Sequence, residues 1–255
     1  MARFTTADAL NFNTAFKSTT LGALVLASLQ LYRPPAEQGR MLEEFAARTG
    51  QGLPTWLGMT ETSAAGTPTT DYVADAVTGV YAVKFDTTNE VETITVSQGD
   101  QRTWDIAKNP IVEFRLKVES DVTGGGGVFA AGDKCVFGLA HDRNATLDDN
   151  TVHAWFMFAG ANHNVYVETD DGTTDNDDND TSQDWAENTF ARYKIDTTDQ
   201  ANIKFYINDI DVTPETMTLA AATGNLQVYA ECQKAAALNK DHRLSLDYII
   251  VDAER

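Results

Sequence analysis

Positive charge is scarce in this sequence. Nineteen Lys and Arg face 38 Asp and Glu, leaving a formal net charge of −19. Binding a phosphate backbone needs a basic patch, and none is visible, so nucleic acid is excluded as a partner. The same charge repels an anionic membrane surface. Cysteine is nearly absent too. Two residues, Cys135 and Cys232, do not make a disulfide framework. Each sits in an apolar run, "CVFGLA" or "LQVYAEC", and the pair reads as buried free thiols in preference to a bridge. Long hydrophobic runs are missing. The longest, Leu21 to Tyr32, spans about twelve residues, whereas a membrane helix needs about 20. The opening "MARFTTADALNFN" lacks the layout of a signal peptide.

What is present is a chain of two characters. Residues 1–58 hold that apolar run and then "RPPAEQGRMLEEFAARTG", where Pro34 and Pro35 mark a helix start and Gly50 a stop. Met41, Leu42, Phe45 and Ala46 recur at spacings of three and four, which predicts a short amphipathic helix over 36–49. Such a helix cannot build a core alone, so residues 1–58 read as an anchoring arm, its apolar contacts being Phe12, Phe16, Leu21, Leu24, Leu26, Met41, Leu42 and Phe45. Residues 59–71, rich in Thr, Ser and Ala with Gly66 and Pro68 as breakers, read as a linker.

From Tyr72 the period changes to two. Eleven strand-like segments follow, among them "VETITVS", "PIVEFRLKVES", "KCVFGLA", "VHAWFMFA", "NVYVET", "NLQVYAEC" and "RLSLDYIIVD". Short strands between Gly, Asn, Asp and Thr turns predict an all-β antiparallel sandwich over 72–255. "KFDTTNEVETI" and "KIDTTDQANIKF" repeat one turn, in which Asp86 and Asp196 can accept the backbone N–H two residues on. The run Gly124 to Gly127 lacks the strand–loop–helix setting of a phosphate site and reads as a flexible loop.

The chemistry candidates are few. "ETDDGTTDNDDNDTSQDW", from Glu168 to Trp185, is densely acidic. An EF-hand register starting at Asp175 places Asp177 and Asn179 correctly, but Asp180 replaces the required Gly and Ala186 the required Glu. A looser calcium set would be Asp170, Asp171, Asp175, Asp177 and Asn179. The preferred reading is a projecting, solvated hairpin loop without a metal, because crowded carboxylates resist burial. Glu168 and Asp170 share a strand face. Glycoside hydrolysis would need one of them buried to raise its pKa, and the segment reads as too wet for that. His141, His153 and His163 lack zinc spacing and read as structural. No serine sits in a nucleophile elbow. Trp104, Trp155, Trp185 and Tyr193 could line a sugar-binding face but read first as sandwich fillers.

From about Trp56 onward, "NPIVEFRLKVE", "KCVFGLA" with "VHAWFMFAG", "TFARYKIDTTDQANIKFYINDIDV" and "LSLDYIIVDAE" resemble successive strands of the concanavalin-like or laminin-G-like jelly roll. That fold serves lectins, glycosidases and scaffolds alike. The Glu-x-Asp-x-x-Glu strand of its glycosidases is not matched, since "VETDDGTTD" lacks the final Glu. The layout of arm, linker and one jelly roll resembles virion proteins of tailed bacteriophages. This resemblance implies a non-enzymatic capsid-decoration or head-fibre subunit in the virion. It would be a homo-oligomer without cofactor, bound to the major capsid protein or another virion protein. The alternative is a carbohydrate-binding adhesin, with or without calcium, and a glycoside hydrolase is the third reading.

Overall fold

The computed structural model describes residues 39–44, as backbone, and residues 59–73, 79–119, 132–144, 146–160, 162–236 and 242–253. Two eight-stranded sheets face each other across one hydrophobic core. Among the described residues, strands and two short 3-10 turns, Ile106–Lys108 and Leu147–Asp149, make an all-β sandwich.

Sheet I runs β14 (Ile210–Asp211), β13 (Lys204–Ile207), β12 (Ala191–Asp196), β7 (Ile111–Glu119), β16 (Arg243–Ala253), β4 (Tyr81–Lys84) and β3 (Thr69–Tyr72). Sheet II runs β11 (Asp175–Asp184), β10 (Asn164–Asp170), β9 (His153–Ala159), β8 (Lys134–Ala140), β15 (Asn225–Lys234), β5 (Glu92–Ser97) and β2 (Thr60–Ala65), with β6 (Trp104–Asp105) also paired to β15. The ladders among β2–β16 are antiparallel.

Alternation does what period two dictates. In β7, Val112, Phe114, Leu116 and Val118 point inward, while Glu113, Arg115 and Lys117 stay half-buried on the outer face. At the centre, the Phe137 ring lies 5.6 Å from Phe114 and 5.1 Å from Phe158 and Tyr193, all edge-on. Edge-on contact places the positive ring edge on a negative face, and each pair adds about 0.5–1.5 kcal/mol beyond burial. Asp86 and Asp196 accept the N–H of Thr88 and Thr198 at 2.7 and 3.0 Å, the repeated turn expected from sequence.

Four expectations change. First, Gly39–Glu44, inside the expected helix, is strand β1, paired with β16. Strand β4 covers only Arg243–Leu246 of the eleven-residue β16, which leaves backbone groups that a further strand satisfies. The rest of the arm, with Phe12, Phe16, Leu21, Leu24, Leu26 and Phe45, lies outside the described residues, as does the Gly124 to Gly127 run. Second, the expected linker carries β2 and β3, edge strands of opposite sheets. Its breakers fall where the chain crosses between them. Gly66 has φ +66°, and a Cβ there would meet Val91 O at 2.5 Å. Glu61 on β2 accepts from Thr70 on β3 at 2.6 Å and from the Tyr81 hydroxyl on β4, which fastens this edge of the sandwich.

Third, Cys135 and Cys232 are bonded. They are direct partners in the β8–β15 ladder with Cα atoms 4.2 Å apart, a closeness hidden by 97 residues of chain. Fourth, the acidic stretch is largely strand β11 and not a loop. The Asp side chains of β11 are exposed, as expected, while pairing with β10 satisfies the backbone, but Glu168 and Asp171 of the same stretch are buried.

A buried cation joins the β5–β15 ladder to the turn before it. Lys234 is fully buried. Its Nζ donates to Asp86 O at 2.6 Å and Thr88 O at 2.9 Å and pairs with the buried Glu92. Asp86, Glu90 and Glu92 are the only His, Cys, Asp or Glu set among the described residues close enough to share a metal ion. The ammonium already supplies positive charge to Asp86 and Glu92. Burial pushes the Glu92 carboxyl up, and the Lys234 hydrogen bond opposes it. Removing one member leaves the other buried and unpaired, at about 3–5 kcal/mol. Lys234→Met should therefore lower the urea midpoint strongly, and Lys234→Met with Glu92→Leu should recover most of the loss. A double variant no more stable than the single one would show that the pair is not coupled.

Candidate functional site

The outer face of sheet II is where side chains other than core fillers gather. In most sandwich sheets that face is solvated. Here β8 and β9 bury both faces, because a second apolar cluster, Val136, Ala140, Leu147, Trp155, Met157 and Tyr229, covers the outside. The 3-10 turn Leu147–Asp149 brings Leu147 onto it.

Cross-strand register orders this face into rows. One row reads Ser97, Tyr229, Gly138, Trp155 and Glu168 from β5 to β10. The next reads Thr95, Glu231, Val136, Met157, Tyr166 and Asp180. Gly138 must be glycine, since a Cβ would stand 2.2 Å from Ala154 O and 2.7 Å from Trp155 Cα. Trp155 stacks on His153, ring centroids 3.6 Å apart. His153 Nδ1 lies 2.7 Å from Asn150 O, so that nitrogen carries the proton. Glu231 accepts from Tyr229 at 2.6 Å and Thr95 at 2.7 Å.

Glu168 occupies the most unusual position. It accepts from Trp155 Nε1 at 2.5 Å and from the Asp178 backbone N–H at 3.3 Å. Asp178 sits at a bulge of β11 with φ 49°. The sequence places Glu168 at the lip of a wet loop. The structure instead seats it mid-face, 8% exposed, and burial pushes its carboxyl up to about 7. Asp170, two residues on, shares the face as expected. Burial raises its carboxyl, although its Oδ1 accepts from Gly172 N at 2.7 Å.

The five expected calcium ligands are spread along a hairpin. Burial opposes ionisation of Asp171, but N–H groups of Thr174, Ala221 and Thr173 outweigh it and hold the carboxyl below its usual range. Those donors already occupy both Asp171 oxygens. Asp175, Asp177 and Asn179 lie on β11. The three histidines stay apart. His141 Nε2 faces Arg102 at 2.7 Å, so it accepts, and burial with that guanidinium lowers its pKa. His163 stacks on Trp185. No histidine joins a three-ligand group among the described residues. Trp104, Trp185 and Tyr193 are core fillers, and Trp155 belongs to the second cluster.

One end of the face stays open. Beyond Met157, a cleft of about 410 Å³ is lined by Lys134, Ala159, Asn162, Tyr166 and Asp178 and by two loops, at Gly132–Asp133 and Gly160. Tyr166 and Lys134 are half-buried, and Asn162 and Asp178 are exposed. Asn162 Nδ2 donates to the Tyr166 hydroxyl at 3.1 Å. Sequence reasoning passed over Tyr166. The signal was its shared parity with Glu168 and Asp170 in "NVYVETD".

No family model matches the chain, and no curated protein matches it. Solved structures do. A protein of unknown function from Shewanella oneidensis MR-1 superposes with TM-score 0.61 at 11% identity, over 99% of this chain and 95% of that one. The carbohydrate recognition domain of Emp47p gives 0.58 at 10%, over 88% and 100%. A glycoside hydrolase family 16 endo-glucanase from Bacteroides ovatus gives 0.52 at 9%, over 82% and 98%. At such identities the likeness establishes the fold, a concanavalin-like jelly-roll sandwich.

The raised Glu168 pKa has a signed consequence. An acid with a folded pKa near 7 and a reference value of 4.5 favours the native state when protonated. That contribution is complete below about 4.5 and is lost as pH rises through about 7. Glu168→Gln, which is never charged, should shrink the difference in melting temperature between pH 5 and pH 8. An unchanged difference would mean that Glu168 is ionised throughout.

Proposed function

We propose that this chain is a non-enzymatic carbohydrate-binding domain that works through the outer face of sheet II. One observation carries the reading. That face sets side chains in cross-strand register, covers Trp155 and Tyr229, and leaves at its end an open cleft lined by Tyr166 and hydrogen-bonding groups. The cleft lies within the range of small-ligand sites, about 300–1,000 Å³. The fold agrees, since a carbohydrate recognition domain and a glycoside hydrolase are among its structural neighbours.

Glu168 has the burial and raised pKa that an acid catalyst needs, so the wetness expected of this segment no longer argues against hydrolysis, and it is the contacts of Glu168 that favour binding without bond cleavage. Both of its oxygens accept protein donors, and its surroundings hold it in place instead of presenting it to a bond. The expected virion attachment through residues 1–58 concerns a segment described only at Gly39–Glu44, and the glycan reading does not depend on it.

A broad array of neutral and acidic glycans, probed with the labelled chain, tests the proposal. Selective retention on a subset is expected, with no shortening of those oligosaccharides after overnight incubation. Binding to none of the array would end the glycan reading. Release of shorter products, lost in Glu168→Gln, would replace it with a hydrolase.

A further inference from the structure

We infer that the cleft beside Tyr166 is the sugar subsite, and that β11 makes it select uncharged glycans over acidic ones. The inference rests on the glycan-binding reading and adds to it a place and a ligand class.

The place follows from what is open. Trp155 and Tyr229 are almost fully buried, under the cluster that includes Leu147, and so offer no ring face to a ligand. Tyr166, at the uncovered end, is the aromatic that lines the cleft among the described residues. A sugar ring has an apolar C–H face and a rim of hydroxyls that both donate and accept. Tyr166 supplies a flat apolar partner with a polar tip. Around it stand a donor-only group, Lys134, an acceptor-only group, Asp178, and an amide that does both, Asn162. Adjacent hydroxyls match such a mixed rim, which an apolar or singly charged ligand would leave unsatisfied. Gly160 adds room, since a Cβ there would meet nothing within 4 Å.

The ligand class follows from charge. Strand β11 carries Asp175, Asp177, Asp178, Asp180 and Asp184, all exposed, and no Lys or Arg. Asp178 lines the cleft, and Asp180 is the cross-strand partner of Tyr166. Lys134 is the one cation in the lining among the described residues. Charges separated by less than a Debye length, about 8 Å at physiological salt, feel one another. A uronate or sulfate in this cleft would meet more negative than positive charge, in a protein of net charge −19. A neutral sugar meets no such repulsion.

Calorimetric titration of the intact chain with neutral cello-, malto- and galacto-oligosaccharides, and with oligogalacturonate of equal length, tests both parts. Neutral binding is expected, weakened at least tenfold by Tyr166→Ala and largely kept by Tyr166→Phe, with folding of each variant checked by circular dichroism. Oligogalacturonate should bind at least tenfold more weakly at low salt. That gap should narrow several-fold in Asp178→Asn and in 1 M salt. Neutral binding untouched by Tyr166→Ala would overturn the subsite and leave the glycan reading standing. Oligogalacturonate bound as tightly as the neutral sugars at low salt would overturn the selectivity. A chain that bound nothing on the broad array would take both readings down together.

Discussion

Burial of both faces of sheet II is the constraint on which the rest of the molecule depends. A sheet covered on one side needs alternation, whereas β8 and β9 need apolar or small residues at nearly every position. That requirement explains the run "HAWFMFA" and the glycine at 138, where Trp155 and Ala154 leave no space for a side chain. It also explains the raised pKa of Glu168. Its carboxylate is hemmed in by Trp155 on one side and by the bulge of β11 on the other. Where the covering ends, at Met157 and Tyr166, the face opens into the cleft. Fold and site are therefore one problem, because the residues that seal the outer cluster also decide which aromatic ring remains accessible.

The central strands were legible because burial writes period two into them. The alternation in "IVEFRLKVE" and the bulky run in "HAWFMFA" can come from few other structures. The edges were illegible for the same reason. Strands β2 and β11 gain backbone pairing without burying a face, so "TETSAA" and "DNDDNDTSQD" carry no hydrophobic signature. The expected helix around Met41 shows the converse, since three- and four-residue spacings over a short window do not outweigh an open strand edge.

The site was less legible than the fold. The shared face of Glu168 and Asp170 could be read from parity, and the burial of Glu168 could not, because Trp155 and Asp178 create it from other strands. The cleft gathers side chains from Lys134 to Asp178, and only the folded sheet makes them neighbours. The disulfide was hidden in the same way, since ladder register and not local sequence sets Cys135 opposite Cys232. Turn chemistry lies at the other extreme. Asp86 and Asp196 act within two residues of themselves, and their role was visible without any tertiary knowledge.

The acidic strand also bears on how the protein behaves in crowded solution. An edge strand offers unpaired backbone groups to any passing strand, and β11, which carries no proline, guards its edge with like charge and with the bulges in its ladder to β10. Charge is a guard that ionic strength removes, because the screening length contracts to about 3 Å at 1 M salt. In brine or a concentrated precipitant, β11 becomes an ordinary polar strand edge, free to pair with its counterpart on another molecule. Dilute electrolyte is thus expected to keep molecules apart at this strand, and concentrated salt to favour edge-to-edge pairing of their sheets.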